Sequence, residues 1–393
     1  MIAAQPDSAR GWLVVGSAAL SMFAVFGVAY SFGAFFTSMG EEFDSSTSET
    51  AFVFSLTIGL SFFLAPFTGR WVDRVGPRRV VLTGAAFLVV GLLLTSLVGS
   101  LLLGYLTYGV GVGVAVACGY VPMVATVSGW FVRQRATAIG FAVAGIGLGT
   151  LIGSPLAARL IDASSWRTTY VIFALGAGAC MILGGLGAER GPVAVKAPEP
   201  RPLRELLRLR PFLILYIATV LIGFGVFIPF VFLARSAEER GIDTVAAALL
   251  VGLIGGSSVV GRLGLGALAD RFGALRLEVG SFALLAGSHL IWLFAGDSYA
   301  LLVLYAITLG IGYGGFIALS PAVIADIFGL EGLGAMIGMN YTAAGIAALT
   351  GPPLAGWLVD QAGDSGAILL ALGMSITATV VLSSVKQHIS QPA

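Results

Sequence analysis

The sequence predicts an all-α integral membrane protein, with twelve transmembrane helices in two pseudosymmetric six-helix bundles. Three observations carry that expectation. The 393-residue chain is 58% hydrophobic and 10% charged, with a mean hydropathy of +0.98, a composition no soluble domain of this length tolerates on its surface. Apolar windows of about 20 residues, the length a helix needs to cross the hydrocarbon core, recur between short polar breaks. Motifs of the first half also return in the second at a nearly constant offset.

The windows place spans at about 12–37, 49–69, 79–98, 101–128, 136–160, 167–188, 211–234, 244–268, 277–296, 298–325, 333–358 and 365–385. The 55 glycines fit spans rather than loops, because membrane helices pack closely through small residues. Cys118 and Cys180 fall inside spans and read as packing residues rather than a disulfide framework. The first eleven residues are too short and too weakly basic for a cleaved signal sequence, so the first helix is expected to remain as a span.

Charge distribution orients the chain. If both termini are cytoplasmic, 16 of the 21 Lys and Arg residues lie on that side, Arg159, Arg167, Arg235 and Arg240 lie opposite, and Arg262 lies within the membrane. This is the bias expected of an inner-membrane topology with basic loops inside. The net charge of +1 gives no sign of nucleic-acid binding, and nothing in the chain has the form of a nucleotide-binding loop or a metal cluster. No enzyme activity, cofactor or metal is expected.

The stretch Glu189 to Arg210 is rich in proline and basic residues. It divides the chain into an N-terminal bundle (1–188), a cytoplasmic linker (189–210) and a C-terminal bundle (211–393). The loop Gly69-Arg-Trp-Val-Asp73-Arg74-Val-Gly76-Pro-Arg78 is echoed 197 residues later by Gly266-Ala-Leu-Ala-Asp270-Arg271-Phe-Gly273. Gly153-Ser-Pro155-Leu156-Ala157 is echoed 198 residues later by Gly351-Pro-Pro353-Leu354-Ala355. In the loop, glycine allows close helix approach, aspartate can cap or pair with arginine, and the basic cluster sits at the headgroups. Gly69, Asp73, Arg74 and Arg78, with Gly266, Asp270 and Arg271, are candidates for a conformational latch; a purely topogenic basic loop is the plainer reading.

Arg262 is the most informative residue. A cation deep in an apolar helix is costly and marks a functional site unless compensated. No acidic residue is expected at the same depth in any span, so the natural counter-charge is one that comes and goes, an anionic substrate. Eight residues separate Arg262 from Asp270, about 12 Å along a helix, which sets the arginine deep, although a snorkelling side chain is the competing reading. A guanidinium fork suits a carboxylate. Tyr120, Tyr313 and Asn340 are candidate polar partners and Tyr30 a candidate wall or gate; for each tyrosine, packing with a satisfied hydroxyl is the alternative. His289 is expected to be structural.

The duplicated loops resemble those of the major facilitator superfamily. The segment Trp130-Phe131-Val-Arg133-Gln-Arg135-Ala-Thr-Ala138-Ile-Gly140-Phe-Ala142-Val-Ala144-Gly145 is similar to one in the monocarboxylate transporter family. So are Gly27-Val-Ala-Tyr30-Ser-Phe32-Gly-Ala-Phe35-Phe36, Thr47-Ser48-Glu49, and Arg262 with Gly266. The resemblance, to a bacterial member of that family, implies the major facilitator fold and a central cavity opened alternately to each side of the cell (inner) membrane. It also implies transport of a small organic anion, such as lactate or pyruvate, by proton symport or anion exchange. The chain departs from animal members, which carry an aspartate where it has Ser258 and a lysine where it has Ala34, so any co-transported proton needs another group. A monomer is expected. Two rival readings stand beside this one: a multidrug or other small-solute carrier on the same fold, and a non-transporting anion receptor.

Overall fold

Serine and aspartate caps set where the helices begin. The structure, a computed structural model, describes residues 5–192, 203–329 and 333–385. Twelve helices are long and apolar enough to cross a bilayer: α1 (Ala9–Glu42), α2 (Thr47–Val75), α3 (Pro77–Thr95), α4 (Leu101–Ser128), α5 (Arg135–Ala163), α6 (Trp166–Leu186), α7 (Arg210–Glu239), α8 (Thr244–Phe272), α9 (Ala274–Phe294), α10 (Tyr299–Phe328), α11 (Leu333–Ala362) and α12 (Asp364–Ser383). Four of the even-numbered helices start at Ser46, Ser100, Ser165 and Ser298, and α8 starts at Asp243; each side chain accepts a hydrogen bond from a first-turn amide. These contacts satisfy amides that hydrocarbon would otherwise leave bare. Ser46 and Glu49 form a reciprocal capping box.

The two duplicated loops share one backbone device. Gly76 ends α2 at φ +90° and Gly273 ends α8 at φ +86°, a conformation that L side chains resist. The chain can therefore reverse in a single residue into α3 and α9. Arg190 closes the first corner by donating from Nη2 to the main-chain carbonyl of Asp73 at 2.6 Å. Among the described residues no ion pair joins Asp73 to Arg74 or Arg78. The side chain of Asp270 lies outside the described residues, as do Lys196 and Arg201 of the expected linker.

Each half is a six-helix bundle. In the first, α1 packs on α5 and α6, and α3 on α4 and α6; in the second, α8 and α9 pack on α10, and α7 on α11 and α12. Small residues make these crossings close. A Cβ at Gly145, Gly149 or Gly153 would strike the main-chain carbonyls of Ala19, Phe23 and Gly27 in turn. The four-residue glycine spacing in α5 is thus a ladder that seats α1, as small-residue packing in a membrane predicts.

Between halves, α2 packs on α11 and α5 on α8. At the distal end, away from the chain termini, the halves close: Ser48 Oγ donates to the Pro353 carbonyl at 2.9 Å, and a Cβ on Gly33 would lie 2.9 Å from the Phe230 carbonyl oxygen. At the basal end, which bears the termini, a Cβ on Gly69, Gly264, Gly334 or Gly338 would meet nothing within 4 Å. The halves therefore touch along the distal end and the middle and part toward the basal end.

Near the start of α9 an acidic residue is enclosed by protein, about one turn into the helix rather than at the depth of Arg262: Glu278 is 2% exposed, and its Oε2 has no hydrogen-bond partner among the described residues.

Candidate functional site

Two helix breaks and one glycine-paved crossing bring the site together. Helix α1 is interrupted at Tyr30 and Ser31. The Val28 carbonyl there accepts from Ser31 Oγ at 2.8 Å and from Tyr108 Oη at 3.0 Å, so it is not left bare by the break, and Tyr30 is held in the interior, 2% exposed. Helix α4 breaks at Tyr120 (φ −99°, ψ −80°), immediately before Val121-Pro122; Pro122 has no amide to donate to the preceding turn and disfavours helical geometry in the residue before it, so the helix restarts here. On α10, a Cβ at Gly314 would collide with the Ser258 carbonyl and the Arg262 amide of α8. Only glycine there lets α10 lie against α8, which sets Tyr313 beside Arg262.

Arg262 is 8% exposed. Its Nη1 donates to the main-chain carbonyl of Val143 on α5, in the opposite half, at 3.0 Å. Its guanidinium lies 5.5 Å from the centroid of the Tyr313 ring, in cation–π range. Nε and Nη2 have no hydrogen-bond partner among the described residues. Those two nitrogens form one edge of the guanidinium, the edge that presents two parallel donors to a carboxylate. No carboxylate pairs with Arg262 among the described residues.

Aromatic rings wall this cation. Tyr30 Oη lies 3.3 Å from Tyr313 Oη, a bond that also crosses between halves. The Tyr30 ring stacks on Phe230 of α7 at 4.1 Å and 14°. Phe26 packs on Tyr30 at 5.3 Å and meets the edge of Tyr120 at 5.5 Å. An opening lined by Phe26, Ser61, Phe62, Ala65 and Tyr120 adjoins the group.

Of the sequence-predicted residues, Arg262, Tyr30, Tyr120 and Tyr313 gather here. Asn340 does not: its amide is buried and donates from Nδ2 to Thr219 Oγ1 of α7 at 3.1 Å. The next residue, Tyr341, faces Tyr120 instead, with its ring 5.9 Å from that of Phe62 on α2. Adjacent residues of a helix point about 100° apart, and nothing in the sequence distinguishes which of the two faces inward. Phe26 and Phe230 also escaped the sequence reading, since single aromatics in apolar helices carry no signal of their own. His289 is buried elsewhere in the C-terminal bundle, 3.4 Å from Tyr305.

The chemistry of the group is binding rather than bond-making: one desolvated cation with a free donor edge, hydroxyl groups and flat apolar walls, and no nucleophile or general base within it. Among the described residues no cluster of metal-ligating side chains occurs.

Comparison with known proteins agrees with this geometry. The sequence profile of the Major Facilitator Superfamily matches residues 18–291 and 265–390. Monocarboxylate transporter 13 of Rattus norvegicus is 30% identical over 399 residues, covering 98% of this chain and 93% of its own length. Monocarboxylate transporter 3 of the same organism is 31% identical over 412 residues, covering 99% and 82%. An MFS-type transporter of Gibberella moniliformis is 32% identical over 329 residues, covering 82% and 78%.

Proposed function

We propose, from the premise that the chain belongs to the major facilitator superfamily and within it to the monocarboxylate transporter family, that it carries a small monocarboxylate such as lactate or pyruvate by alternating access. It is a multi-pass membrane transporter of small solutes, not an enzyme. The observation that carries the substrate reading is the unpaired Nε/Nη2 edge of buried Arg262. A desolvated donor edge of one guanidinium matches one carboxylate, and the chain supplies no permanent partner for it. The Tyr30 and Tyr313 hydroxyls suit the 2-hydroxy or 2-keto oxygen, and the rings of Tyr30, Phe230 and Tyr120 suit a short carbon skeleton.

The mechanism follows from the cost of burying charge. Closing the halves around an empty Arg262 leaves its donors unsatisfied in a medium without water, whereas a bound anion neutralises the cation. The loaded carrier closes and reopens on the other side more readily than the empty one. If only the loaded form crosses, the protein exchanges anions; if a proton enters as well, it performs symport. Bundles 1–188 and 211–393 rock as units joined by 189–210, in a monomer of the cell membrane with both termini cytoplasmic. Asp73 with Arg74 and Arg78, and Asp270 with Arg271, make and break latch contacts at the basal end, where Gly69 and Gly266 admit close approach.

The test is uptake of labelled lactate, pyruvate and acetate by proteoliposomes holding the wild type or Arg262→Ala, with and without counter-substrate inside. Uptake by the wild type that disappears in Arg262→Ala supports the carboxylate carrier. Uptake unchanged by the substitution sinks it and favours a carrier of other solutes; ligand binding without uptake favours a receptor.

A further inference from the structure

Among the described residues, Glu278 is the one buried carboxylate without an ion-pair partner. It stands on α9 at 2% exposure, with Oε2 lacking any partner among the described residues. Its polar neighbour is Ser320 on α10. The charged groups nearest in sequence, Arg271 at the end of α8 and Arg276 on α9, are exposed, as is Asp326 further along α10. Of the other helices packed on α9, α7 and α12 bring no ion pair to it among the described residues. His289, three turns further along α9, faces Gly225 of α7 and lies against Tyr305 of α10. An ionised carboxylate in such a place, without a counter-charge, is expensive.

Its position ties it to α10. Ser320 immediately precedes Pro321, which lies inside α10 and removes the hydrogen bond that the Ile317 carbonyl would otherwise accept. That is a weak point in the helix ladder, on the basal side where the halves part. Ser320 also stands two helical turns from Tyr313, the ring beside Arg262. Ser281, one turn from Glu278 on α9, packs directly against Gly315 of α10. The α9–α10 contact that buries Glu278 is thus continuous with the helix that supports the anion site.

We propose that Glu278 is the binding site of a proton that moves with the anion: the carboxyl is protonated while α9 and α10 are packed as here, and releases its proton when the basal part of α10 shifts at Pro321 and admits water. No bond other than the O–H of the carboxyl forms or breaks. The proposal rests on the carrier reading above, because it assigns the proton to the same transport cycle.

The experiment uses the full-length protein in proteoliposomes, with labelled lactate and a trapped pH dye. The wild type is expected to accumulate lactate under an inward proton gradient, with lumenal acidification. Glu278→Gln keeps the size and a hydrogen-bonding amide but cannot titrate. It is expected to retain lactate exchange at equal pH within about threefold, while losing gradient-driven accumulation and the acidification, as removal of one coupled ligand requires. Accumulation that persists in Glu278→Gln overturns the proposal and leaves Glu278 as a structural bond between α9 and α10. If the variant loses exchange as well, infrared titration of the wild type in its place decides. A protonated-carboxyl band that titrates with pH and shifts on adding lactate, and is missing from the variant, supports the proposal; a band unchanged by either overturns it. A wild type that moves no monocarboxylate refutes the substrate reading separately, and the infrared titration still tests whether Glu278 exchanges a proton.

Discussion

Arg262 and Val143 face each other across the two halves of the molecule, the guanidinium of α8 donating to a main-chain carbonyl of α5 at 3.0 Å. The bond fixes one nitrogen and turns the opposite edge of the fork inward, free. A lysine could make the bond to Val143 or meet an anion, but has no rigid second edge.

Arg262→Lys is therefore expected to fold and to lose about tenfold to a hundredfold in uptake at limiting lactate, the range for losing about 1.4–3 kcal/mol of a charge-assisted pair. Initial rates at low substrate measure it. Near wild-type rates in the lysine variant would mean that charge alone, without fork geometry, recognises the substrate.

Tyr30→Phe and Tyr313→Phe each remove one side of the 3.3 Å hydroxyl pair and leave the ring packing intact. A single hydrogen bond contributes about 0.5–1.5 kcal/mol, so each variant should raise half-saturation by about two- to tenfold. The double variant should cost less than the sum, because the two hydroxyls share one interaction. Full additivity would show that they act on the anion independently.

Gly314→Ala places a methyl group on the Ser258 carbonyl and the Arg262 amide, backbone atoms that cannot swing aside. The expected loss is about 1–3 kcal/mol or more from overpacking, read as a lower melting temperature in detergent and a lower folded yield. Gly287→Ala, where a Cβ meets nothing within 4 Å, is the matched control and should melt like the wild type.

Asp7 lies outside the spans, and its carboxylate accepts from the amides of Val132, Arg133 and Gln134. Desolvation acts to raise its pKa, but those amides and the charge of Arg133 outweigh it and hold the group below its ordinary value of 3.8. The bonded state is stabilised above the unfolded value and loses that contribution as pH falls through the lowered one. Asp7→Asn should melt slightly below the wild type at pH 7, and the difference should vanish as pH falls below the lowered value. A gap that widens in acid would contradict this sign.

Most of the architecture was legible because hydrocarbon leaves a chain few options. The fourth window, 101–128, coincides with α4, and the loop repeats mark the paired corners at Gly76 and Gly273. What escaped was azimuth and depth. Asn340 and Tyr341 are neighbours in sequence and occupy different faces of α11, one bonded to Thr219 and the other facing Tyr120. Glu278 sits at the edge of an apolar window, where periodicity says nothing of its surroundings; only packing of α9 on α10 reveals that it is enclosed. The break at Tyr30 carries no strong sequence signal, since it lies in a continuous apolar run; Pro122 marks the break at Tyr120 but does not say which way the tyrosine turns.

The distal seam, where Gly33 lies against the Phe230 carbonyl, Ser48 against Pro353 and Phe36 against Phe232, is built from main chain, small residues and rings, with the Arg235 guanidinium 5.8 Å from the Phe36 ring; among the described residues no ion pair joins the two halves. Its opening is then a question of fit between surfaces rather than of charge. Ionic strength should leave this seam nearly untouched and act at the basal corners instead, while the lateral pressure of the lipids, which presses on helix ends and not on ions, should bear on the seam itself.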